Sequence, residues 1–383
     1  MIYLDNAATT GRKPLSVIKA VNWALTEMSA NPGRGGHKPS VKASESIFKT
    51  RQKVAEMFGA SSEERVIFTP SCTASINMVL KGILSRGDGL IISSLEHNAV
   101  TRPAETLRKQ GVEVTVAEVI FGDYDATVRS FERAIQKNTK AIVCTHASNV
   151  TGEIMPIAKI GALCKERGIT FIVDAAQTAG VIPINMEEMN IDFLCIAPHK
   201  GLYAPMGVGI LIAEKEIPNV LIEGGTGVNS ALPSQPKEYP ERLESGTLNL
   251  PGIVGIGAGI DFLNSKGIKK MYEAEMDLAR YFYNRLIRVS GCIIYTPLPE
   301  NYKYVPVVSF NIMGKPSADV AYSLDESNIA VRAGLHCAPF AHRRLGTIES
   351  GTVRVSLAIF NTKRDIDALI FALNSISSKK IRM

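Results

Sequence analysis

Two side chains of opposite charge follow apolar runs in the sequence. Asp174 ends the run at residues 169–173, and Lys200 comes shortly after the run at residues 193–196. A lysine in a desolvated pocket has a lowered pKa and can form a Schiff base, whereas a buried carboxylate needs a cation or several donors. Pyridoxal phosphate requires both groups, because a lysine binds its aldehyde and an acid faces its pyridinium nitrogen. The alternatives are a solvated surface lysine and an aspartate that caps a helix.

A turn at residues 68–77 could hold the phosphate of such a cofactor. It places Ser71, Cys72 and Thr73 at the start of a predicted helix. Unpaired backbone N–H groups and the helix dipole make this position a binding site for anions. Taken alone, the pattern is also typical of an ordinary helix cap.

Further polar groups follow two other strand-like runs, at residues 95–98 and 146–149. Open α/β sheets bind ligands beyond the carboxyl ends of their strands. A single histidine in such a place is more often a cap than a catalyst. Polar groups after four predicted strands together favour one shared site.

Short apolar runs rich in β-branched residues predict the strands that position these groups. They lie at residues 65–68, 89–93, 112–116, 140–145, 169–174, 193–196 and 207–212. Helical spacing of apolar residues predicts helices at 40–58, 75–84, 100–109 and 157–167. This alternation predicts a doubly wound, mainly parallel sheet with helices on both faces.

A second, smaller unit is predicted to begin near Pro251. Its predicted helices are at residues 271–289, 317–328 and 363–375, and its predicted strands are at 305–310 and 352–356. We therefore expect a large cofactor-binding domain at residues 14–250. Residues 1–13 and 251–383 would form the small α+β domain.

The composition is that of a folded chain. Of 383 residues, 45% are hydrophobic and 21% are charged, which excludes disorder over the chain as a whole. Lysine and arginine outnumber the acids by 43 to 37. Apart from residues 342–344 and 379–382 the basic residues are scattered, which favours a solvated surface over nucleic-acid binding. We expect no membrane segment and no signal peptide, because no run is long and apolar enough.

The six cysteines form no CxxC pair and match no zinc framework. This usage predicts a reducing, cytoplasmic location and no metal site. Cys144, Cys164 and Cys195 lie in apolar runs and are predicted core residues.

Together the motifs resemble the cysteine desulfurases, in the class V branch of the fold-type I pyridoxal-phosphate enzymes. The resemblance spans nearly the whole chain and is carried by residues 3–10, 96–98, 148–152, 174–177, 199–200, 245–249, 332–338 and 354–362. It implies the α/β fold of the fold-type I transferases. That fold has a large domain with a mainly parallel seven-stranded sheet and a smaller α+β C-terminal domain.

The resemblance implies pyridoxal 5'-phosphate as cofactor and assigns the residues around its ring. Lys200 would bind the aldehyde and later move protons at the substrate Cα. Asp174 would keep the pyridine nitrogen protonated. His97 would stack on the ring and assist in proton transfer, and Gln177 would bond to the ring oxygen.

Three groups would hold the phosphate: Thr73, the Cys72 amide and His199. Thr247 resembles a residue that reaches the phosphate of the neighbouring subunit, which implies a homodimer. Two departures from the family pattern lie here. Ala197-Pro198 replaces a usual hydroxyl, so one phosphate contact is expected to be lost, and residues 71–74 replace a turn of the Gly-Thr-Thr-Glu kind.

For the substrate, Asn149 and Arg354 match positions that bind the carboxylate, which suits a guanidinium fork. Arg332 and His37 match positions near the mouth of the site. Both substrate arginines would lie in the small domain.

Cys337 resembles the nucleophile, and it lies in a polar, glycine-containing segment at residues 333–339. As a thiolate it would attack the sulfur of a bound cysteine, leaving L-alanine and a persulfide, and His336 could aid its deprotonation. The alternative is a zinc or structural role for His336, Cys337 and His342, which lacks a fourth ligand.

The implied activity is a cysteine desulfurase that converts L-cysteine to L-alanine. A selenocysteine lyase or another class V lyase is the alternative, although a cystine lyase would not need Cys337. A nucleotide-binding protein is a further alternative, because Gly255, Gly257 and Gly259 resemble a dinucleotide fingerprint. No strand precedes these glycines, so helix packing is the better interpretation.

The sulfur acceptor could serve iron–sulfur assembly, tRNA thiolation or selenium metabolism. The cysteine segment resembles the short-loop desulfurases, whereas residues 245–249 resemble the long-loop ones. A short loop suggests that Cys337 reaches an acceptor poorly without a partner protein.

Overall fold

The computed structural model describes residues 1–33 and 35–378. The basic tail noted at residues 379–382 lies outside the described residues. The strands are β1 (Ile2–Tyr3), β2 (Val66–Thr69), β3 (Gly89–Ser93), β4 (Glu113–Ala117), β5 (Thr139–Thr145), β6 (Thr170–Asp174), β7 (Phe193–Ile196), β8 (Gly209–Ala213), β9 (Cys292–Ile294), β10 (Val307–Ile312), β11 (Ile329–Ala330), β12 (Arg332–Gly334) and β13 (Thr352–Ser356).

The helices lie between these strands along most of the chain. They are α1 (Leu15–Glu27), α2 (Lys38–Phe58), α3 (Cys72–Ile83), α4 (Asn98–Lys109), α5 (Tyr124–Ala134), α6 (Ile157–Arg167), α7 (Leu250–Lys266), α8 (Ile268–Leu286), α9 (Ser317–Glu326), α10 (Pro339–Arg344) and α11 (Lys363–Ser378). The sequence analysis missed α1, α5 and the short α10, as well as the short strands β1, β9, β11 and β12. For α5 a signal was present, because Asp123 caps its first turn through the Ala126 N–H at 2.8 Å.

Seven strands form one sheet in the order β2-β8-β7-β6-β5-β3-β4. Strand β8 is antiparallel to both neighbours, and the strands from β7 to β4 run parallel. The predicted mainly parallel seven-stranded sheet is confirmed. Because β3, β5, β6 and β7 are adjacent and parallel, the residues that follow them meet at one edge of the sheet.

Apolar side chains cover both faces of this sheet. Helices α3 and α4 contribute Ile76, Val79 and Leu107 to the core on one face. Helices α2, α6 and α7 contribute core residues such as Val54 and Ile160 on the other. Burial on both faces explains why these strands are continuously apolar rather than alternating.

The smaller sheet is antiparallel, in the order β12-β13-β10-β9. Helices α8, α9 and α11 cover it through a separate apolar cluster that includes Phe282, Leu324 and Leu373. Strand β1 pairs in parallel with β11, so the N-terminus joins this smaller part. The β12–β13 pairing sets Arg332 directly opposite Arg354.

Helix α7 carries the glycine run that resembles a dinucleotide fingerprint. A Cβ at Gly259 would collide with the carbonyl oxygen of Leu202, and one at Gly255 would lie 2.6 Å from Pro205. The glycines therefore allow close helix packing, and the nucleotide-binding interpretation is wrong. Helix α7 packs in the same apolar core as α2, which belongs to the large domain, so its position favours a domain boundary beyond Lys266. The predicted division at residue 251 stays a prediction.

Among the described residues, no helix has the length and apolarity needed to span a bilayer.

Candidate active site

A cavity of about 210 Å³ opens where the polar strand ends meet. Most of the predicted site residues line it together: Cys72, Thr73, His97, Asn149, Asp174, Gln177, His199, Lys200, Arg332 and Arg354. Three predicted residues do not line it in the single chain: Cys337, whose neighbour His336 does, His37 and Thr247. His37 caps α2 by accepting from the Ser40 N–H, and Thr247 is exposed beside Asn31.

Lys200 follows β7 and extends into this cavity. Within the described chain its Nζ has neither a hydrogen bond nor an ion pair. Burial lowers its pKa, and the nearby charges of Asp174 and Arg354 respectively oppose and assist that shift. The lowered pKa favours a neutral amine, which is the nucleophilic form of lysine.

The N-terminal segment fixes the backbone beside Lys200. The carbonyl oxygen of His199 accepts from the Thr10 N–H at 3.2 Å, from Thr9 Oγ1 at 3.1 Å and from Lys13 Nζ at 2.8 Å. Burial lowers the pKa of Lys13 to about 8. Thr9 and Thr10 lie in the motif at residues 3–10, and Lys13 follows it closely. Sequence reasoning gave these three residues no role, because hydroxyls and a lysine near the N-terminus carry no distinctive chemistry.

Asp174 ends β6 and is buried. Its Oδ1 accepts from the Ala176 N–H at 2.9 Å and lies 3.6 Å from Cys72 Sγ, which donates to it. Burial and the Asp174 charge raise the pKa of Cys72, so its side chain is a thiol. The expectation that Cys72 contributes only its amide is therefore corrected: its thiol also holds Asp174.

The start of α3 offers unpaired donors to an anion. Ser71 Oγ caps the helix by accepting from the Ala74 N–H at 3.2 Å. The N–H groups of Cys72 and Thr73 have no partner in the described structure, and neither does the buried Nδ1 of His199. Burial lowers the pKa of His199 to about 4, so its ring is neutral. These unsatisfied groups fit a phosphate.

His97 caps α4 with its ring. Nδ1 accepts from the Ala99 N–H at 3.0 Å, which leaves the proton of the neutral ring on Nε2. Burial lowers the pKa of His97, opposed by the charge of Asp174. Gln177 Nε2 donates to the Ala7 carbonyl at 3.2 Å, so the N-terminal segment holds this side chain as well.

Glu96 lies directly before His97 and is fully buried. Its Oε1 accepts from Ser93 Oγ at 2.6 Å and from the Thr145 N–H at 2.8 Å, whereas Oε2 has no partner among the described residues. Burial raises its pKa to about 8, so this carboxyl is protonated at neutral pH. Sequence reasoning did not single it out.

We expect Glu96 to make stability pH-dependent. Its pKa is about 8 in the folded chain against an ordinary value of 4.5, so the folded state holds the extra proton and unfolding becomes easier as pH rises between these values. Glu96→Gln should reduce this pH-dependent loss in the free energy of unfolding by up to a few kcal/mol. Urea unfolding at several pH values measures it, with exposed Glu64→Gln as the control. Parallel curves for wild type and Glu96→Gln would contradict the assignment.

The two arginines of the smaller sheet face the same cavity. Arg354 is 1% exposed, and its Nη1 donates to the Asn149 carbonyl at 3.0 Å while Nη2 donates to Asp5 Oδ1 at 2.6 Å. Asn149 Nδ2 donates to the His336 carbonyl at 2.7 Å. Asn149 thus joins the arginine to the segment that carries Cys337.

Cys337 is the exposed cysteine of the described chain. It and His336 both adopt left-handed backbone, with φ of 57° and 48°. The Cys337 carbonyl accepts from the Asn98 N–H at 2.7 Å, and Arg332 Nη2 lies 3.7 Å from its Sγ. The exposed thiol and this guanidinium are therefore neighbours.

His336 does not serve Cys337 as expected. Its ring is buried, with Nε2 3.1 Å from both the carbonyl and the hydroxyl of Thr352, and burial lowers its pKa to about 2. The consecutive left-handed residues place the ring inward and the thiol outward. The rings of His336 and His342 pack with their centroids 5.6 Å apart, but Cys337 is exposed and does not join them, so the three form no metal-binding group.

Known proteins resemble this chain in sequence and in fold. The family model for class V aminotransferases matches residues 2–369. A probable cysteine desulfurase of Methanothermobacter thermautotrophicus is 33% identical, covering 98% of this chain and 94% of the relative. The apo structure of a cysteine desulfurase from Thermococcus onnurineus matches with a TM-score of 0.90 at 31% identity, covering 98% of this chain and 94% of that one.

The cysteine desulfurase CsdA of Escherichia coli has a TM-score of 0.86 at 28% identity, over 97% of this chain and 94% of its own. The similarity therefore extends over the sheet, the smaller part and the segment around Cys337 alike. The chain belongs to the class V aminotransferases and, within them, to the cysteine desulfurases.

Proposed function

We propose that the protein converts L-cysteine to L-alanine and receives the sulfur on Cys337. The observation that carries this proposal is an exposed thiol beside Arg332, which itself lines a cavity that holds a buried lysine and a buried acid. A cavity with Lys200 and Asp174 alone would suit many reactions of amino acids. The nearby thiol gives the sulfur an acceptor.

The residues present fit pyridoxal 5'-phosphate. Lys200 has a free amine for the aldehyde, Asp174 faces the cavity, and the start of α3 with His199 has unsatisfied donors for the phosphate. When bound, this cofactor supplies an electron sink for charge that develops at the substrate Cα. Ala197 contributes no donor at the position where a hydroxyl was expected, so the phosphate would rely on the remaining groups.

The chain's own residues then have separate tasks. Arg354 and Arg332 bind and orient the substrate carboxylate. Lys200 moves a proton at the substrate Cα, and the neutral His97 can donate or accept one through Nε2. The Cys337 thiolate attacks the substrate sulfur, an S–S bond forms and the C–S bond breaks. The cysteine thiol and L-cysteine thus become a persulfide and L-alanine, with no external oxidant.

The assay is incubation of the cofactor-loaded protein with L-cysteine and a thiol reductant. We expect alanine and sulfide in equal amounts, because each C–S cleavage gives one alanine and one persulfide, whose outer sulfur the thiol reductant releases as sulfide. A loaded, yellow protein that forms neither product would refute the proposed function. L-selenocysteine in a parallel incubation would reveal a preference for selenium.

We propose a homodimer in which Thr247 of one subunit reaches the other subunit's phosphate. In a single chain Thr247 lies outside the cavity, where Asn31 Nδ2 donates to its Oγ1 at a long distance of 3.5 Å. Light scattering should give a dimer, and Thr247→Val should weaken cofactor binding several-fold by loss of one hydroxyl contact. A fully active monomer would contradict this.

We propose that a further protein accepts the persulfide sulfur in a reducing, cytoplasmic setting. Cys337 is exposed, but its carbonyl is tied to Asn98, which limits the reach of its short segment. An oxidising setting would convert the working thiol to other species.

A further inference from the structure

The carboxylate of Asp5 contacts the arginine expected to bind substrate. Asp5 Oδ1 accepts from Arg354 Nη2 at 2.6 Å, in a pair whose arginine side chain is 1% exposed and whose aspartate side chain is 18% exposed. Hydrogen bonds between charged partners are stronger and more directional than neutral ones. This contact therefore constrains where the guanidinium lies.

A second anchor acts on the other terminal nitrogen. Arg354 Nη1 donates to the Asn149 carbonyl at 3.0 Å, and Nε has no partner among the described residues. A guanidinium carries five N–H donors, so two anchors fix its plane and leave other donors for a ligand. A carboxylate is the ligand that such a planar fork binds best.

The charges around Arg354 also require an anion. Arg332 stands directly opposite Arg354 in the β12–β13 register, and like charges at such positions destabilise a sheet. Asp5 supplies one compensating charge through its ion pair with Arg354. One cation remains in excess, which suits a substrate carboxylate.

The backbone holds Asp5 firmly in this place. Tyr3 pairs with Ala330 in β1–β11, and Asp5 bridges to Ser356 beside β13. Tyr3 Oη donates to the Asp5 carbonyl at 3.1 Å. Asp5 is thus tied to the strand that carries Arg354 and moves with it.

We propose that Asp5 is a positioning residue that gives the site its preference for substrates with an α-carboxylate. It holds the Arg354 guanidinium so that the remaining N–H donors meet the carboxylate of an L-amino acid. This inference rests on the proposed function for its substrate. Asp5 itself does not contact the reacting atoms.

The test compares two amines that differ only in a carboxylate, L-alanine and ethylamine, titrated against the cofactor-loaded protein by absorbance. Asp5→Ala should weaken L-alanine binding about tenfold and leave ethylamine binding within about twofold. Asp5→Asn keeps an acceptor oxygen and should restore L-alanine binding to within about threefold of wild type. Asp5→Glu displaces the carboxylate and should weaken L-alanine binding, which provides a second variant if Asp5→Ala does not fold.

Steady-state kinetics give an independent measure. In Asp5→Ala, KM for L-cysteine should rise about tenfold while kcat changes less than about threefold. Exposed Asp325→Ala is the matched control and should behave as wild type.

Tighter or unchanged L-alanine binding in Asp5→Ala would overturn the inference, because Asp5 would then compete with substrate or be irrelevant to it. Equal weakening of ethylamine would show a structural role and overturn it as well. If wild type fails to desulfurate L-cysteine, the proposed function falls, whereas the comparison of L-alanine with ethylamine still decides the role of Asp5.

Discussion

Lys200→Ala should abolish the formation of alanine from L-cysteine, with a fall of about a thousandfold or more. Among the described residues the Lys200 Nζ in the cavity has no partner, and burial lowers its pKa, so we propose it as both the free amine and the proton carrier of the site. The substitution removes both functions at once. Alanine quantified after incubation with L-cysteine provides the measurement, together with absorbance of the protein after dialysis against cofactor-free buffer.

Lys200→Arg separates charge from chemistry. It keeps a cation near Asp174 but offers no amine that can bond to an aldehyde, so it should be as inactive as Lys200→Ala. Exposed Lys19→Ala serves as the matched control for loss of a lysine. Turnover of Lys200→Ala within about tenfold of wild type would remove Lys200 from the mechanism, because proton transfer alone contributes more than that.

Cys337→Ala should retain the cofactor and its response to L-alanine but lose desulfuration by about a hundredfold or more. The thiol lies outside the donors that fit the cofactor, so its removal should leave them intact. Without it the substrate sulfur has no nucleophile beside Arg332. Mass spectrometry of wild type mixed with L-cysteine should show one added sulfur atom, and the variant should show none.

Cys292→Ala is the matched control for loss of a thiol. Cys292 lies in β9, and burial raises its pKa to about 12, so it remains a thiol. It should keep full activity and still gain the sulfur atom. Full desulfuration by Cys337→Ala, or a persulfide found on another cysteine, would contradict the proposed route for the sulfur.

Local pattern was sufficient for much of the large sheet. Burial on both faces makes its strands continuously apolar, and β3, β6 and β7 were predicted to within a few residues. Parallel pairing then brings the residues after these strands to one edge, which is why Asp174 and Lys200 could be paired from sequence. The glycine run in α7 was also interpreted correctly, because no strand precedes it.

Other features depend on the path of the backbone between elements. His336 was expected to assist Cys337 because the two are neighbours in sequence. Their consecutive left-handed conformations turn the ring onto Thr352 and leave the thiol exposed. Cys72 was expected to provide its backbone amide. Only the packing of the end of β6 against the start of α3 reveals that its thiol donates to Asp174. Spacing along the chain does not encode either orientation.

By itself the sequence determined the kind of chemistry, through an acid and a lysine after apolar strands and a cysteine in a polar segment. Its motifs were enough to indicate the family. Only the tertiary structure decided how Arg354, the proposed substrate arginine, is held. Asp5 and Arg354 are 349 positions apart and meet where the N-terminal segment pairs with β11 and bridges to Ser356 of β13. Contacts between residues so far apart in sequence arise from the packing of the whole chain. The periodicity of apolar residues reports which side chains are buried, but it does not specify which residues contact each other.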